Sequence, residues 1–311
     1  MASNNLTTGL TDHMSTFYDK VFLERAKCML VHDVGADIKR IARNMGTTVK
    51  WNRMTPLAVA TTPLTEGTTP SAVAMSTTAV SATAVQYGNW TQTSDLYELT
   101  SIDAGLKEQV DVMGQNAGET IDTLIRDELD GGGTAQIVNS LAASAVTATD
   151  IIDGVEIRKA VRALKLAKAR SFSDNQYKSV ISVSVVADLR GDSEWLDARR
   201  YVDATQILNG EVGKLHGVVF HETNNEMVTA DGGSATVDLY TTFIFGAHAY
   251  GIVDLAGQNG PRIIVKNPSS SDTSNPLDLY STVGWKANFV SKVLNSAWLI
   301  ELKTASTFGA N

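Results

Sequence analysis

The sequence predicts an α+β protein, because patterns typical of helices and patterns typical of strands both occur along its 311 residues. From Leu106 to Leu124, apolar side chains recur at intervals of three or four, as they do on one face of a helix. Runs rich in Val, Ile and Phe, such as Val237 to Phe245, are typical of strands. No segment repeats with a period of about 20 to 50 residues, which argues against a solenoid or propeller.

Helical periodicity and terminating glycines predict four helices in chain order. Gly46 is a plausible end for the first helix, the run from Gly131 to Gly133 for the second, and Asn209-Gly210 for the fourth. The predicted ranges are Asp12 to Asn44, Asp103 to Asp130, Asp150 to Arg170 and Asp192 to Leu208.

The long second helix contains three glycines, Gly105, Gly114 and Gly118. Each costs about 1 kcal/mol of helix stability relative to alanine. We therefore expect either a bend in this helix or the close approach of a neighbouring backbone.

The remaining apolar runs predict strands in the second half of the chain. Alternation of Val and Ser predicts the first of them, and short apolar runs between turn residues predict the others. The predicted ranges are Ser179 to Ala187, Gly217 to Glu222, Val237 to Phe245, Ala249 to Asp254 and Arg262 to Lys266, followed by an apolar block from Leu277 to Lys303.

The segment from Met54 to Ser94 is the most unusual part of the sequence. It contains fifteen Ser or Thr residues and a single charged side chain, Glu66. Val, Thr, Trp and Tyr on its flanks favour strands, but the segment has too little apolar surface to form its own core. A two-stranded excursion is marginally stable alone in water, so we expect it to gain order by lying on another subunit.

Charge is distributed unevenly along the chain. The formal net charge is −8, and the segment from Asp95 to Asp130 alone has ten acids against Lys107 and Arg126. Such an acidic surface repels nucleic acid. The helix predicted around Arg162 is basic and could bind nucleic acid. A solvated face paired with the acidic helix of the same chain is the interpretation we favour.

The sequence contains no pattern that specifies catalysis, a cofactor or a metal. Cys28 is the only cysteine, which excludes an intrachain disulfide. His221-Glu222 begins like a zinc-protease helix, but the second histidine of that motif does not follow. The glycines Gly210, Gly213 and Gly217 lack the spacing of a phosphate loop. We expect no enzyme activity.

The composition predicts a protein that is made in the cytoplasm and has no membrane association. No apolar run approaches the roughly 18 residues that span a bilayer. The segment from Met1 to Leu10 lacks the basic and apolar blocks of a signal peptide.

Three stretches of sequence resemble the major capsid proteins of tailed double-stranded DNA phages, which have the Hong Kong ninety-seven fold. The podovirus N-four-like branch is the most similar. The stretches are Thr48-Val49-Lys50-Trp51-Asn52-Arg53 leading through Thr62 to Pro70 into Val80 to Trp90; Gly210 to Phe220; and Tyr280 to Thr304.

The resemblance implies an α+β capsid fold with five parts. They are an N-terminal arm (1–45), an extended β-hairpin loop (46–94), a peripheral domain with a long spine helix (95–175), an axial domain (176–262) and the return strands of the peripheral domain (263–311). The spine helix would face the shell interior, where its acids would keep packaged DNA from adhering.

The resemblance also implies self-assembly into the pentamers and hexamers of an icosahedral shell around double-stranded DNA, which the chain would not bind specifically. Partners would include further copies, a portal, a scaffolding protein and a decoration protein, and the shell would assemble in the bacterial host cytoplasm. Expected contacts between subunits are Trp51, Arg53, Glu66 and Trp90. The alternative is an encapsulin-like compartment that encloses an enzyme cargo.

Overall fold

The structure is a computed structural model with two mixed sheets, a separate β-hairpin and helices on the faces of the sheets. It describes residues 20–27, 29–41, 46–100, 106–172, 175–192, 195, 211–255, 261–266, 277 and 279–308. The predicted α+β fold is confirmed.

Five helices are numbered in chain order. They are α1 (20–27), α2 (Asp95–Thr100), α3 (Leu106–Leu129), α4 (Gly154–Leu166) and α5 (Val183–Gly191). The acidic helix and the basic helix predicted from periodicity are therefore confirmed as α3 and α4. Asp153 caps α4, because its side chain accepts a hydrogen bond from the backbone N–H of Glu156.

The strands of the first half of the chain are β1 (Asp37–Ile41), β2 (Thr48–Met54), β3 (Thr77–Thr83), β4 (Val85–Ser94), β5 (Thr134–Ile137) and β6 (Tyr177–Ser182). Those of the second half are β7 (Glu211–Leu215), β8 (Val218–Thr223), β9 (Met227–Thr229), β10 (Leu239–Phe245), β11 (Tyr250–Leu255), β12 (Arg262–Lys266), β13 (Tyr280–Val293) and β14 (Leu299–Thr304).

The strands form two sheets and a hairpin. A five-stranded sheet has the order β1-β11-β13-β12, with β4 also paired to β13. A seven-stranded sheet has the order β5-β14-β10-β6-β8-β7, with β9 also paired to β10. The hairpin is formed by β2 and β3, and no other strand among the described residues pairs with either of them.

Each sheet has its own helical cover. The buried face of β13, which carries Val283, Trp285 and Phe289, packs against the apolar stripe of α3. The helices α4 and α5 pack on the seven-stranded sheet through residues such as Leu164 and Leu189. The adjacent strands β10 and β14 contribute to both cores, which joins the two halves.

Glycines in α3 allow the backbone of α1 to lie directly against this helix. A Cβ atom at Gly114 would be 2.8 Å from the carbonyl oxygen of Phe22, and one at Gly118 would be 2.5 Å from that of Ala26. The close approach predicted for these glycines is confirmed. Gly105 lies outside the described residues.

Two predictions of secondary structure are wrong. The predicted helix from Asp12 to Asn44 is interrupted by a turn at 32–35 and followed by β1, since Gly35 has φ +86° and β1 pairs with β11. Residues 183–187 of the predicted strand form the start of α5, because the Ser182 side chain accepts the Ser184 N–H as a helix cap. Residues 12–19, 42–45 and most of the predicted helix from Asp192 to Leu208 lie outside the described residues.

No helix among the described residues combines the length and the apolar character needed to cross a membrane.

The predicted strands of the second half are confirmed as β8, β10, β11, β12, β13 and β14, with bounds shifted by a few residues.

The tight contact between α1 and α3 leads to a stability prediction. Gly118→Ala should lower the free energy of unfolding by about 1–3 kcal/mol, because the new methyl group overlaps the Ala26 carbonyl and the Met29 side chain. Gly191→Ala is the matched control, since nothing lies within 4 Å of its Cβ position. Urea denaturation of both variants measures the difference, and equal stability would contradict the described contact.

Candidate assembly surface

The β2–β3 hairpin and the loop at its end form the most exposed part of the described chain. We call residues 48–83 the arm. Every residue from 52 to 79 is exposed, and residues 55–76 form no helix or strand. The paired strands would extend about 23 Å at the usual rise of a strand, before the loop begins.

Large apolar side chains are exposed in the arm without cover from the described chain. Val59 is 82% exposed and Leu64 77% exposed. The other members of this group are Met54, Leu57, Val73 and Met75. Exposed apolar side chains concentrated in one segment are typical of a site of protein contact.

The base of the arm, in contrast, is packed into the chain. Trp51 is only 6% exposed and lies in a small core with Ile41, Ala82 and Val253. The Nζ atom of Lys39 lies 5.4 Å from the centroid of the Trp51 ring and donates a hydrogen bond to the Lys50 carbonyl. The arm is therefore attached to the five-stranded sheet at one end and free of described contacts beyond it.

The four residues expected at subunit contacts differ in their surroundings. Arg53 on β2 and Glu66 at the loop turn are exposed, and Trp90 on β4 is 63% exposed. Trp51 is buried by its own chain, so it leaves little surface for a neighbour. The chain uses Trp51 to hold the arm, and the sequence alone could not distinguish this role from an external contact.

Glu66 lies in a turn at the end of the arm. The N–H of Thr68 donates to the carbonyl of Thr65, and Gly67 has φ +78°, a conformation that favours glycine. At the opposite end of the loop, the N–H of Thr55 donates to the carbonyl of Ser76 at 2.9 Å. The loop from 56 to 75 is therefore an excursion that leaves and returns at neighbouring points.

The acids on α3 and just after its end, apart from the buried Asp122, fall into two groups. Glu108, Glu119 and Asp127 are exposed. Others form ion pairs with elements other than α4: Asp111 with Arg25, Glu128 with Lys292, and Asp130 with Lys303. The expected pairing of the acidic and basic helices is thus replaced by pairs with α1, β13 and β14.

The basic side of α4 lines a recess on the surface. Arg158, Arg162 and Lys165 lie around an open cavity of about 440 Å³ together with His216. Within the described residues, no three His, Cys, Asp or Glu side chains converge as metal ligands would.

A buried carboxylate, which no pattern in the sequence indicated, holds the N-terminal segment onto α3. Asp122 is fully buried, and its Oδ1 accepts the backbone N–H groups of Val31 and His32. Its Oδ2 lies 2.8 Å from Nδ1 of the buried His32 and accepts a hydrogen bond from Asn225. Arg126 in turn donates to the Asn225 side chain and to the Glu226 carbonyl.

The hydrogen bonds determine the ionisation of this carboxylate. Burial alone would raise the pKa of Asp122, but the hydrogen bonds and charge of His32, together with the N–H of Val31, hold that pKa below its ordinary value. Burial and the nearby Asp122 charge raise the pKa of Asp33. Burial also raises the pKa of Tyr250, whose hydroxyl donates to the carbonyls of His32 and Val34.

Comparison with solved structures supports the fold, whereas the two sequence comparisons found no match. No protein-family model matches the chain, and no curated protein sequence matches it. The solved structures do match. A chain of the capsid of Ralstonia phage GP4 has TM-score 0.69 at 15% identity, covering 90% of each chain. A chain of the cyanophage Pam1 capsid has TM-score 0.66 at 14% identity, covering 90% of this chain and 93% of its own length.

A third solved structure relates to the alternative interpretation. A chain of a virus-like particle from Pyrococcus furiosus has TM-score 0.53 at 10% identity, covering 93% of this chain and 99% of its own length. These similarities show that the chain has the fold of phage capsid proteins, as the sequence predicted. The podovirus N-four-like branch stays a prediction.

The Asp122 network leads to a pH-dependent prediction. Since the folded pKa of Asp122 is below its ordinary value of 3.8, its stabilising effect is complete above that pH and is lost as the pH falls through the folded value. Asp122→Asn should lower stability at pH 7 by about 2 kcal/mol or more, because charged hydrogen bonds are lost. It should also flatten the acid dependence of urea unfolding.

Asp33→Asn is the control for that measurement. The folded pKa of Asp33 is raised, so ionised Asp33 favours the unfolded chain as the pH rises. Its replacement should therefore leave stability at pH 7 unchanged or increased. Equal losses for the two variants would contradict the assignment of Asp122 as the stabilising carboxylate.

Proposed function

We propose that this chain, which has the fold of phage capsid proteins, is the major capsid protein of a tailed double-stranded DNA phage. It would assemble into pentamers and hexamers of an icosahedral shell around the genome. The observation that carries the proposal is the arm, whose residues 52–79 are all exposed and include six large apolar side chains between Met54 and Met75.

Beyond its base, the arm lacks contacts with the rest of the described chain that would order it. The loop residues 55–76 form no strand, and only the arm's base is packed. Obligate interfaces commonly bury more than about 2,000 Å². A long arm supplies such an area to a neighbour of identical sequence, and repetition of the contact around each group of subunits closes a ring, the pentamer or hexamer from which the shell is built.

The proposal gives each part of the chain a position in the shell. The peripheral domain would contain α3 as its spine helix, and residues 176–262 would form the axial domain around the five-fold and six-fold centres. The exposed acids Glu108, Glu119 and Asp127 would face the packaged DNA and repel it, which allows enclosure without specific binding. The proposal includes no catalytic step.

Further partners belong to the same proposal. A phage shell of this fold needs a portal for DNA entry, and a scaffolding protein and a decoration protein are expected partners. Assembly would take place in the bacterial host cytoplasm. Arg53, Glu66 and Trp90 are proposed contacts between subunits because all three are exposed on the arm or on the adjacent strand.

An encapsulin-like compartment is the second candidate, because the virus-like particle from Pyrococcus furiosus shares the fold. That candidate predicts a copurified enzyme cargo and no portal. Mass spectrometry of purified particles distinguishes the two, since a cargo enzyme in a fixed ratio to the shell would favour the compartment.

Shortening the arm tests the proposed function. Since Thr55 and Ser76 are joined by a hydrogen bond, residues 56–75 can be replaced by Asn-Gly, a sequence that closes a two-residue hairpin turn. The variant should keep the melting temperature of its subunits and form no closed particles in negative-stain electron microscopy. Normal particles from the shortened chain would contradict the proposal.

Glu66 provides a more specific test of the contact between subunits. As the only charge between Met54 and Ser94, it is proposed to form an ion pair with an Arg or Lys of a neighbour. Glu66→Lys should lower the thermal stability of assembled particles, whereas Glu66→Gln should have a smaller effect because it introduces no repulsion. Unaltered particle yield and stability after charge reversal would remove this ion pair from the proposal.

A further inference from the structure

The strand β4 forms an open edge of the five-stranded sheet. All ten of its residues pair with β13 on one side. On the other side, none of the strands that the structure describes pairs with it. The hairpin of β2 and β3 is joined to β4 through Ala84, whose N–H donates to the Thr47 carbonyl and not to β13.

The direction of each backbone group on β4 follows from three contacts. The N–H of Asp95 donates to the Leu279 carbonyl. In an antiparallel pair, every second residue counted back from Asp95 therefore directs its backbone N–H and C=O groups toward β13. Trp90 is opposite Gly284, and a Cβ at Gly284 would be 2.8 Å from the Trp90 Cβ, as expected for a pair without mutual hydrogen bonds. The Trp90 N–H instead donates to the Asn89 side chain.

These contacts identify the groups at the open edge. Since the odd-numbered residues of β4 bond to β13, the even-numbered ones direct their N–H and C=O groups outward. These residues are Gln86, Gly88, Trp90, Gln92 and Ser94, and all five are exposed. Each is therefore available to a further strand, apart from the Trp90 N–H, which the Asn89 side chain already accepts.

The composition of β4 differs from that of the other edges of this sheet. Its sequence, VQYGNWTQTS, contains no charge and no proline. The edge strand β1 contains Asp37, Lys39 and Arg40, and β12 contains Arg262 and Lys266. Charged residues on an edge discourage pairing with other chains, so β1 and β12 are protected and β4 is not.

We propose that the open edge of β4 accepts a strand from residues 55–76 of a second copy of this chain. This inference rests on the proposed function and specifies how the arm would bind its neighbour. The loop residues are exposed, have no strand partner of their own and include a single charge, Glu66. A segment with one charge, whose described backbone hydrogen bonds are those of Thr55 with Ser76 and of Thr68 with Thr65, would therefore meet an uncharged edge whose outward backbone groups face no described strand.

The side chains of residues 55–76 also fit the open edge of β4. Leu57 and Val59 on one side of the loop, and Val73 and Met75 on the other, are exposed at alternate positions. In an extended strand, alternate residues share a face. That face would lie beside Trp90, which is 63% exposed and covers Gly284. The Asn89 amide would release the Trp90 N–H to the incoming strand.

Removal of one backbone N–H group from the open edge of β4 tests the proposal. Gln92→Pro removes an N–H that points to the open edge and leaves the bonds of Thr91 and Thr93 to β13 in place. Gln92→Ala is the matched control, because it removes the side chain and keeps the N–H. Particle yield should fall by about tenfold or more for Gln92→Pro, since the lost bond recurs at every copy, and should be unchanged for Gln92→Ala.

Circular dichroism melting of both variants shows whether the subunits fold. Equal yields from folded Gln92→Pro and Gln92→Ala would overturn the proposal. If Gln92→Pro does not fold, Gln92→Lys replaces it, because a charge at the edge opposes strand addition without altering the β13 ladder. Ile264→Lys on the already basic β12 edge is then its control.

Crosslinking identifies the strand that binds. Particles with photoreactive benzoylphenylalanine in place of Trp90, assembled from a mixture of nitrogen-15-labelled and unlabelled chains, should yield peptides that join position 90 to residues 55–76 of another copy. Crosslinks to the N-terminal segment 1–19, or to no second copy, would overturn this inference while the particles uphold the proposed function. Failure of the wild-type chain to form particles would overturn both.

Discussion

The buried carboxylate of Asp122 is the interaction on which the arrangement of the chain depends. It accepts hydrogen bonds from the N–H groups of Val31 and His32 in the N-terminal segment. It also accepts one from Asn225, which follows strand β8 of the seven-stranded sheet. A buried carboxylate is costly unless its oxygens are fully bonded, so these groups cannot separate without a large loss of stability. Asp122 thereby fixes α3 between the two halves of the molecule.

The chain therefore combines a packed body with an exposed arm. The body has α3 against the five-stranded sheet, and α4 and α5 against the seven-stranded one. The arm is anchored by Trp51, and every residue of the arm from 52 to 79 is exposed. Rigidity at the base is useful for assembly, because a pre-positioned arm loses less conformational entropy when it binds a neighbour.

The two wrong secondary-structure predictions and the burial of Trp51 have a common physical origin. Periodicity predicts a helix through residues 37–41, but the strand β1 forms there because β11 offers a parallel partner more than 200 residues away. The alternating Val and Ser of residues 183–187 suit a strand, yet Ser182 caps a helix there. Trp51 stays a predicted subunit contact, but little of its surface is exposed because a distant residue, Val253, takes part in burying it. In each case a partner remote in sequence decided between two local patterns.

Local sequence patterns are sufficient to predict the α+β class, the helices α3 and α4, most strands of the second half and the low charge of the arm. These follow from local periodicity and composition, which need no knowledge of distant residues. Contacts between distant segments are needed to show that Asp122 is a buried anchor and not one more surface acid, which backbone lies against Gly118, and that β4 has an open edge. Those properties depend on which segments meet in space, and the free energy of such contacts is not encoded within any single segment.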